Sequence, residues 1–208
     1  MRHVVIDMCT AFKAAVATAL PHAMLVVDHF HVVQLANAVI DEVRARRTAQ
    51  VRGRRGRAGD REWDLRNTLK ANVENRRRDK VENMVGELAD LDEIGPAVLA
   101  AWVAKEELRH LLALARTGTD RTAISARLFR FYTVCADSGI EEVQHLARTV
   151  QTWWPQIEAF IHIGITNAAS EGINRVVKLE ARRAYGFRNP VNQRLRTRCH
   201  HPARTWMP

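Results

Sequence analysis

Cysteine is scarce in this chain of 208 residues: Cys9, Cys135 and Cys199 are an odd number, scattered without the spacing of a metal site. That excludes a disulfide framework and leads us to expect a reduced, cytoplasmic protein. No charged segment followed by a short apolar core opens the sequence, so no secretory signal is read there. Long hydrophobic runs are missing too. The most apolar stretch, Ala97 to Ala115, is broken by Lys105, Glu106, Glu107 and Arg109, far from the roughly 18 clean residues of a membrane span. Negative charge is in deficit: 32 Lys and Arg face 23 Asp and Glu, a formal net charge of +9. Such an excess favours a polyanionic partner, nucleic acid first. The length allows one domain, or one domain with a large insertion, and a sizeable core.

What is present begins as strand, helix, strand. His3-Val4-Val5-Ile6 and Met24-Leu25-Val26-Val27 are short apolar runs, and between them Phe12, Ala15, Val16 and Ala19 share one helical face. Pro21 punctuates the return. Two wholly apolar strands joined by a helix predict parallel neighbours in a sheet, connected by a right-handed crossover. From Phe30 to about Tyr185 the spacing is helical. Val32, Leu35, Val39 and Val43 form one stripe; Val98, Trp102, Leu108, Leu111 and Leu112 a second; Val143, Leu146, Val150 and Trp154 a third. Ser138 and Glu141 match a capping box, which predicts a helix start there, and Pro155 predicts a break. The expected fold is therefore mostly α, with an α/β remnant near the N-terminus and a large all-helical insertion.

Arg44, Arg46, Arg47, Arg52, Arg54, Arg55 and Arg57 are interspersed with Gly53, Gly56 and Gly59. Self-repulsion and glycine both oppose packing, so residues 44–60 are expected to form a flexible arm. It can neutralise DNA phosphates without reading sequence, or it is a solvated linker.

Asp7 follows the first strand and Asp28 the second, which would place both at the carboxyl edge of a parallel sheet. Aspartate in such a position is equally a helix cap. Farther on, Glu171, Asn174, Arg175 and Lys178 lie at i, i+3, i+4 and i+7, one helical face holding a carboxylate, an amide and two cations. Ordinary surface pairing gives the same pattern.

Taken in order, Val4-Val5-Ile6-Asp7-Met8, the run from Leu20 to Val33 with Asp28 and His31, Thr166-Asn167-Ala168-Ala169-Ser170-Glu171-Gly172-Ile173-Asn174, Lys178, and Arg183-Ala184-Tyr185-Gly186-Phe187-Arg188-Asn189 resemble the ISL3 family of insertion-sequence transposases. The resemblance covers nearly the whole chain to Asn189. It implies a ribonuclease-H-like DDE core divided by a helical insertion: core strands in 1–34, the insertion in 35–163, the final core helix in 164–189 and an irregular tail in 190–208. It implies that Asp7 is the second aspartate and Glu171 the glutamate of a triad that holds Mg²⁺ or Mn²⁺, with Asp28, His31, Asn167, Asn174 and Lys178 in support. The implied partners are DNA at the ends of an insertion sequence and a second transposase chain, either a copy of this one or a full-length enzyme.

Carboxylates suit this role because hard divalent cations want oxygen ligands. Two such ions about 3.5–4 Å apart serve in-line displacement at phosphorus. The resemblance also implies three strands, a first aspartate and a DNA-reading head ahead of Asp7, none of which the sequence contains. The expectation is an N-terminally truncated fragment, inactive by itself. The alternative is a non-catalytic protein that binds DNA or interferes with an intact transposase. A basic helical scaffold is a third reading, which leaves the ordered motifs unexplained. Cys199, His200 and His201 are adjacent potential ligands in the tail.

Overall fold

The computed structural model describes residues 2–200 and divides into two compact units, Met1–Ile165 and Thr166–Pro208. The first unit opens with β1 (His3–Ile6), α1 (Thr10–Ala19) and β2 (Met24–Val27). The strands pair in parallel, from His3 opposite Met24 to Ile6 opposite Val27, as the two apolar runs predict. Val26 and Val27 are fully buried because α9 (Trp154–Ile163) packs against β2. The face of α1 read from Phe12, Ala15, Val16 and Ala19 forms, but α1 has no buried residue and leaves Phe12 exposed. Lys13 ties it down, donating to Gln156 at 3.2 Å and sitting 4.9 Å from the centre of the Trp153 ring.

The rest of this unit is helical: α2 (His29–Arg52), α3 (Arg61–Asp64), α4 (Arg66–Lys70), a single 3₁₀ turn (Val73–Asn75), α5 (Arg78–Ala89), α6 (Ile94–Leu112), α7 (Arg121–Asp137) and α8 (Glu141–Thr152) precede α9. Helix α6 is the hub, packed by α2, α5 and α7, and α8 bridges α2 and α7. The three stripes supply its core: Val32, Val39 and Val43 from α2, Val98, Leu108, Leu111 and Leu112 from α6, Val143, Leu146 and Val150 from α8 are all buried. Each fully buried Val or Leu is worth about 1.5–3 kcal/mol. The approach of α5 to α6 depends on Gly95, where a Cβ would lie 1.7 Å from the Leu88 carbonyl oxygen. Pro155 stands in the first turn of α9, where a missing N–H is harmless, so the chain restarts a helix there.

One local expectation is corrected. Ser138 does not open a capping box: the helix begins at Glu141, and the Ser138 hydroxyl donates to the Cys135 carbonyl at 2.8 Å while accepting from the Ile140 amide at 3.2 Å. It closes α7 rather than starting α8. The charged run in α6 is largely buried. Lys105 is fully buried, its ammonium donating to the Leu69 carbonyl at 2.6 Å and the Ala71 carbonyl at 3.2 Å, with the Glu106 carboxylate at 2.6 Å. Burial pushes the Lys105 pKa down despite that partner. Arg109 extends the network to Glu106 at 2.8 Å and to Glu74 at 2.5 Å. These charges fasten α6 to the end of α4.

The second unit comprises α10 (Ala168–Arg183) packed on α11 (Pro190–His200). The start of the segment read as an irregular tail is therefore helical. Pro190 takes the first helical position and the Asn189 side chain accepts from the Val191 amide at 2.9 Å, a capped start that apolar spacing alone does not reveal. His201 lies outside the described residues, so the adjacent Cys199-His200-His201 ligands are only partly within them.

Candidate active site

Strand β1 ends at Ile6 and β2 at Val27, and the register that pairs these two carries Asp7 and Asp28 to the same carboxyl edge. The Asp28 amide continues the ladder by donating to the Ile6 carbonyl at 3.0 Å. From there the two acids diverge. Asp28 is buried and caps α2, its carboxylate accepting from the Phe30 amide at 3.1 Å. The alternative read from sequence, aspartate as an N-cap, is its role. Asp7 has a half-exposed side chain, and its Oδ1 lies 2.9 Å from His31 Nε2. His31 reaches it because the cap at Asp28 fixes where α2 starts, and His31 stands in the first turn. The structure thus brings Asp7, Asp28 and His31 together within the first unit.

This arrangement can do something specific. A half-exposed carboxylate with one oxygen held by an imidazole has its orientation set, and the donor set is hard oxygen, which suits Mg²⁺ or Mn²⁺ and not a thiolate-seeking metal. Glu171 lies in the first turn of α10, its amide donating to the Asn167 carbonyl at 2.9 Å. Asn174, Arg175 and Lys178 follow on the same helix, as the spacing predicts.

The flexible arginine arm is not observed. Helix α2 runs through Arg52 and is closed by Gly53 at φ +65°, a conformation that suits glycine. Arg44 is buried beside Asp41 at 3.1 Å and lies 5.0 Å from the Trp63 ring centre, with Arg66 at 4.7 Å. Arg46 grips Glu142 with two nitrogens, at 2.5 and 3.0 Å. Arg52 does the same to the fully buried Glu62, at 2.7 and 3.0 Å. Arg54 holds Asp60 at 2.7 and 2.8 Å, and with the Arg57 amide it keeps the Asp60 carboxyl well below the usual range. Asp41, Asp60, Glu62 and Glu142 offset much of the repulsion along the run, and Arg47 adds to the field that Arg46 sets on Glu142. Arg55 and Arg57 form no side-chain ion pair among the described residues.

Sequence reading missed the turn after α10. Tyr185 has φ +52° and is fully exposed. Its amide donates to Arg182 at 3.1 Å and the Gly186 amide to Ala181 at 2.8 Å, a Schellman closure with tyrosine where glycine is usual. Gly186 hinted at a helix end, but one residue late.

Among the described residues no helix is long and apolar enough to cross a membrane. No solved structure matches the chain. The transposase for insertion sequence element IS1001 of Bordetella parapertussis is 28% identical over 193 residues, which are 91% of this chain and 45% of that protein. The chain thus spans about half the length of that curated relative. A family model described as transposase, that of the ISL3 group, matches residues 1–197. With the motifs around Asp7 and Glu171 inside that match, the chain belongs to the ISL3 family of transposases.

Proposed function

We propose that this chain contributes part of a DDE-type centre for metal-dependent strand cleavage and strand transfer on DNA, acting at the ends of an insertion sequence, on a ribonuclease-H-like core. Asp7 and Glu171 are the metal ligands in this reading. The observation that carries it is the carboxyl-edge Asp7, half-exposed, 2.9 Å from His31 and inside the stretch that the family model matches. His31 fixes the Asp7 carboxylate, Asp28 places His31 through the cap, and Asn167, Asn174 and Lys178 flank Glu171, with Lys178 toward a DNA phosphate. Two magnesium or manganese ions, when bound, activate a water or a 3′-hydroxyl and stabilise the leaving oxygen. In this reading the polypeptide supplies two acids of the triad.

Iron(II) in place of magnesium, with ascorbate, cuts the backbone near the residues that hold it. Cuts near both residue 7 and residue 171, lost in Asp7→Asn, are expected. Cuts at neither segment would falsify the reading.

The uneven distribution of charge favours DNA as the partner, since residues 166–208 hold nine Lys and Arg and only two acids. Of the arginine run, Arg55 and Arg57 are the members left for phosphates. A chain that binds DNA with a steep salt dependence, unaffected by metal, is the second reading supported by the same charge.

A further inference from the structure

The motif Arg183-Ala184-Tyr185-Gly186-Phe187-Arg188-Asn189 has no part in the metal chemistry, yet it forms the rim of a concavity within the second unit. That concavity is shallow and open to solvent, with a volume of about 590 Å³, and is lined by Arg183, Tyr185, Phe187, Arg188, Asn189 and Arg196 among others, with no carboxylate in its wall. Arg196 lies 6.0 Å from the Phe187 ring centre. Arg188 and Arg196 meet no acid among the described residues, and Arg183 has only Glu180, at 3.3 Å. The sequence from Ala181 onward contains no Asp or Glu at all.

Tyr185 carries the argument further. At the left-handed position of a Schellman closure, a side chain is disfavoured relative to glycine. An aromatic ring kept there while fully exposed is neither a packing group nor a conformational convenience. Backbone strain of this kind marks positions retained for what the side chain meets. A solvent-facing ring beside unpaired guanidinium groups matches one chemistry: the flat face of an unstacked base together with its flanking phosphates.

We infer that this concavity is a site for a single-stranded DNA segment, with a base stacked on Tyr185 and its phosphates held by Arg188 and Arg196. The choice of DNA rests on the proposed function; the recognition of an unstacked nucleotide rests on the site itself. Single strand is favoured over duplex because the ring has a π-face to offer and a paired base has none exposed.

The test uses the full chain in EDTA, so that no metal is involved and failure of the metal centre leaves the result readable. Fluorescence anisotropy is measured with a labelled 15-nucleotide oligo-dT, with duplex and oligo-rU of the same length as competitors. Tyr185→Gly is expected to bind oligo-dT about tenfold more weakly, the size of one base stack, while melting at the same or a higher temperature because glycine prefers this backbone. Tyr185→Trp is expected to retain binding. Replacing Arg188 and Arg196 with Gln is expected to flatten the salt dependence by about 0.7 for each phosphate no longer neutralised. Unchanged affinity in Tyr185→Gly overturns the inference, as does a duplex that competes better than the single strand. Stronger competition by oligo-rU than by oligo-dT itself overturns the assignment to DNA.

Discussion

Residues 1–165 contain more than twice as many cationic side chains as residues 166–208, yet far less unbalanced charge: 23 Lys and Arg against 21 acids in the first, nine against two in the second. In the first unit arginine is a building material. Arg44, Arg46, Arg52, Arg54 and Arg109 each meet a carboxylate, and the buried Glu62 is answered by Arg52 and by the Thr48 hydroxyl. In the second, Arg188, Arg194, Arg196 and Arg198 meet none among the described residues. The difference teaches that a dense arginine cluster locates a polyanion face only where the fold leaves it unanswered.

The sharpest way to break the comparison is Lys105→Met. It leaves the Glu106 carboxylate buried and two backbone carbonyls without a donor, so unfolding free energy is expected to fall by about 3–5 kcal/mol in urea titrations. A loss below about 1 kcal/mol would show the network to be incidental. Next in size is Arg52→Met, which strands the buried Glu62; about 2–3 kcal/mol is expected, with DNA affinity unchanged. If DNA affinity drops with it, the first unit's arginines do reach a partner.

Acid sharpens the contrast by a smaller effect. The Arg46 guanidinium holds the Glu142 pKa down, and Arg109 does the same for Glu74, as Arg54 does for Asp60. Carboxyls lowered in the folded state contribute stability that is fully present above their unfolded values, near 4, and is lost as pH falls through the lower folded values. Melting temperature is therefore expected to be flat from about pH 5 to 7 and to decline below about pH 4. Restoring it at pH 3 with salt alone would count against specific pairs. The smallest stability change is expected from Arg194→Gln with Arg198→Gln, within about 0.5 kcal/mol of the parent, while binding of DNA weakens.

The elements near the N-terminus were legible because two apolar runs, a helical face and Pro21 are local signals. Asp7 and Asp28 were legible as edge residues for the same reason, but their separation into an exposed acid and a buried cap was not. That depends on whether a carboxylate finds the Phe30 amide or the His31 ring, a matter of where α2 begins. The arginine run was misread because its partners lie elsewhere: Glu62 is ten residues from Arg52, and Glu142 is 96 from Arg46. The burial of Lys105 was not legible for the same cause, since the Leu69 and Ala71 carbonyls that satisfy it are 36 and 34 residues away. Tyr185 broke a rule that sequence reading relies on, glycine at a helix end.

Helix α1 follows Asp7 by three residues and has nothing buried, whereas α2 and α6, on whose core the unit rests, have many buried residues. Amide hydrogens in α1 are therefore expected to trade with deuterium within seconds to minutes, far ahead of those in α6, because local opening there loses little packing. The acid that would grip a metal thus sits at the boundary between a rigid strand and a loosely fastened segment. Occupancy at Asp7 would register as slowed exchange in Thr10–Ala19, so the least protected helix of the unit is also its most sensitive reporter.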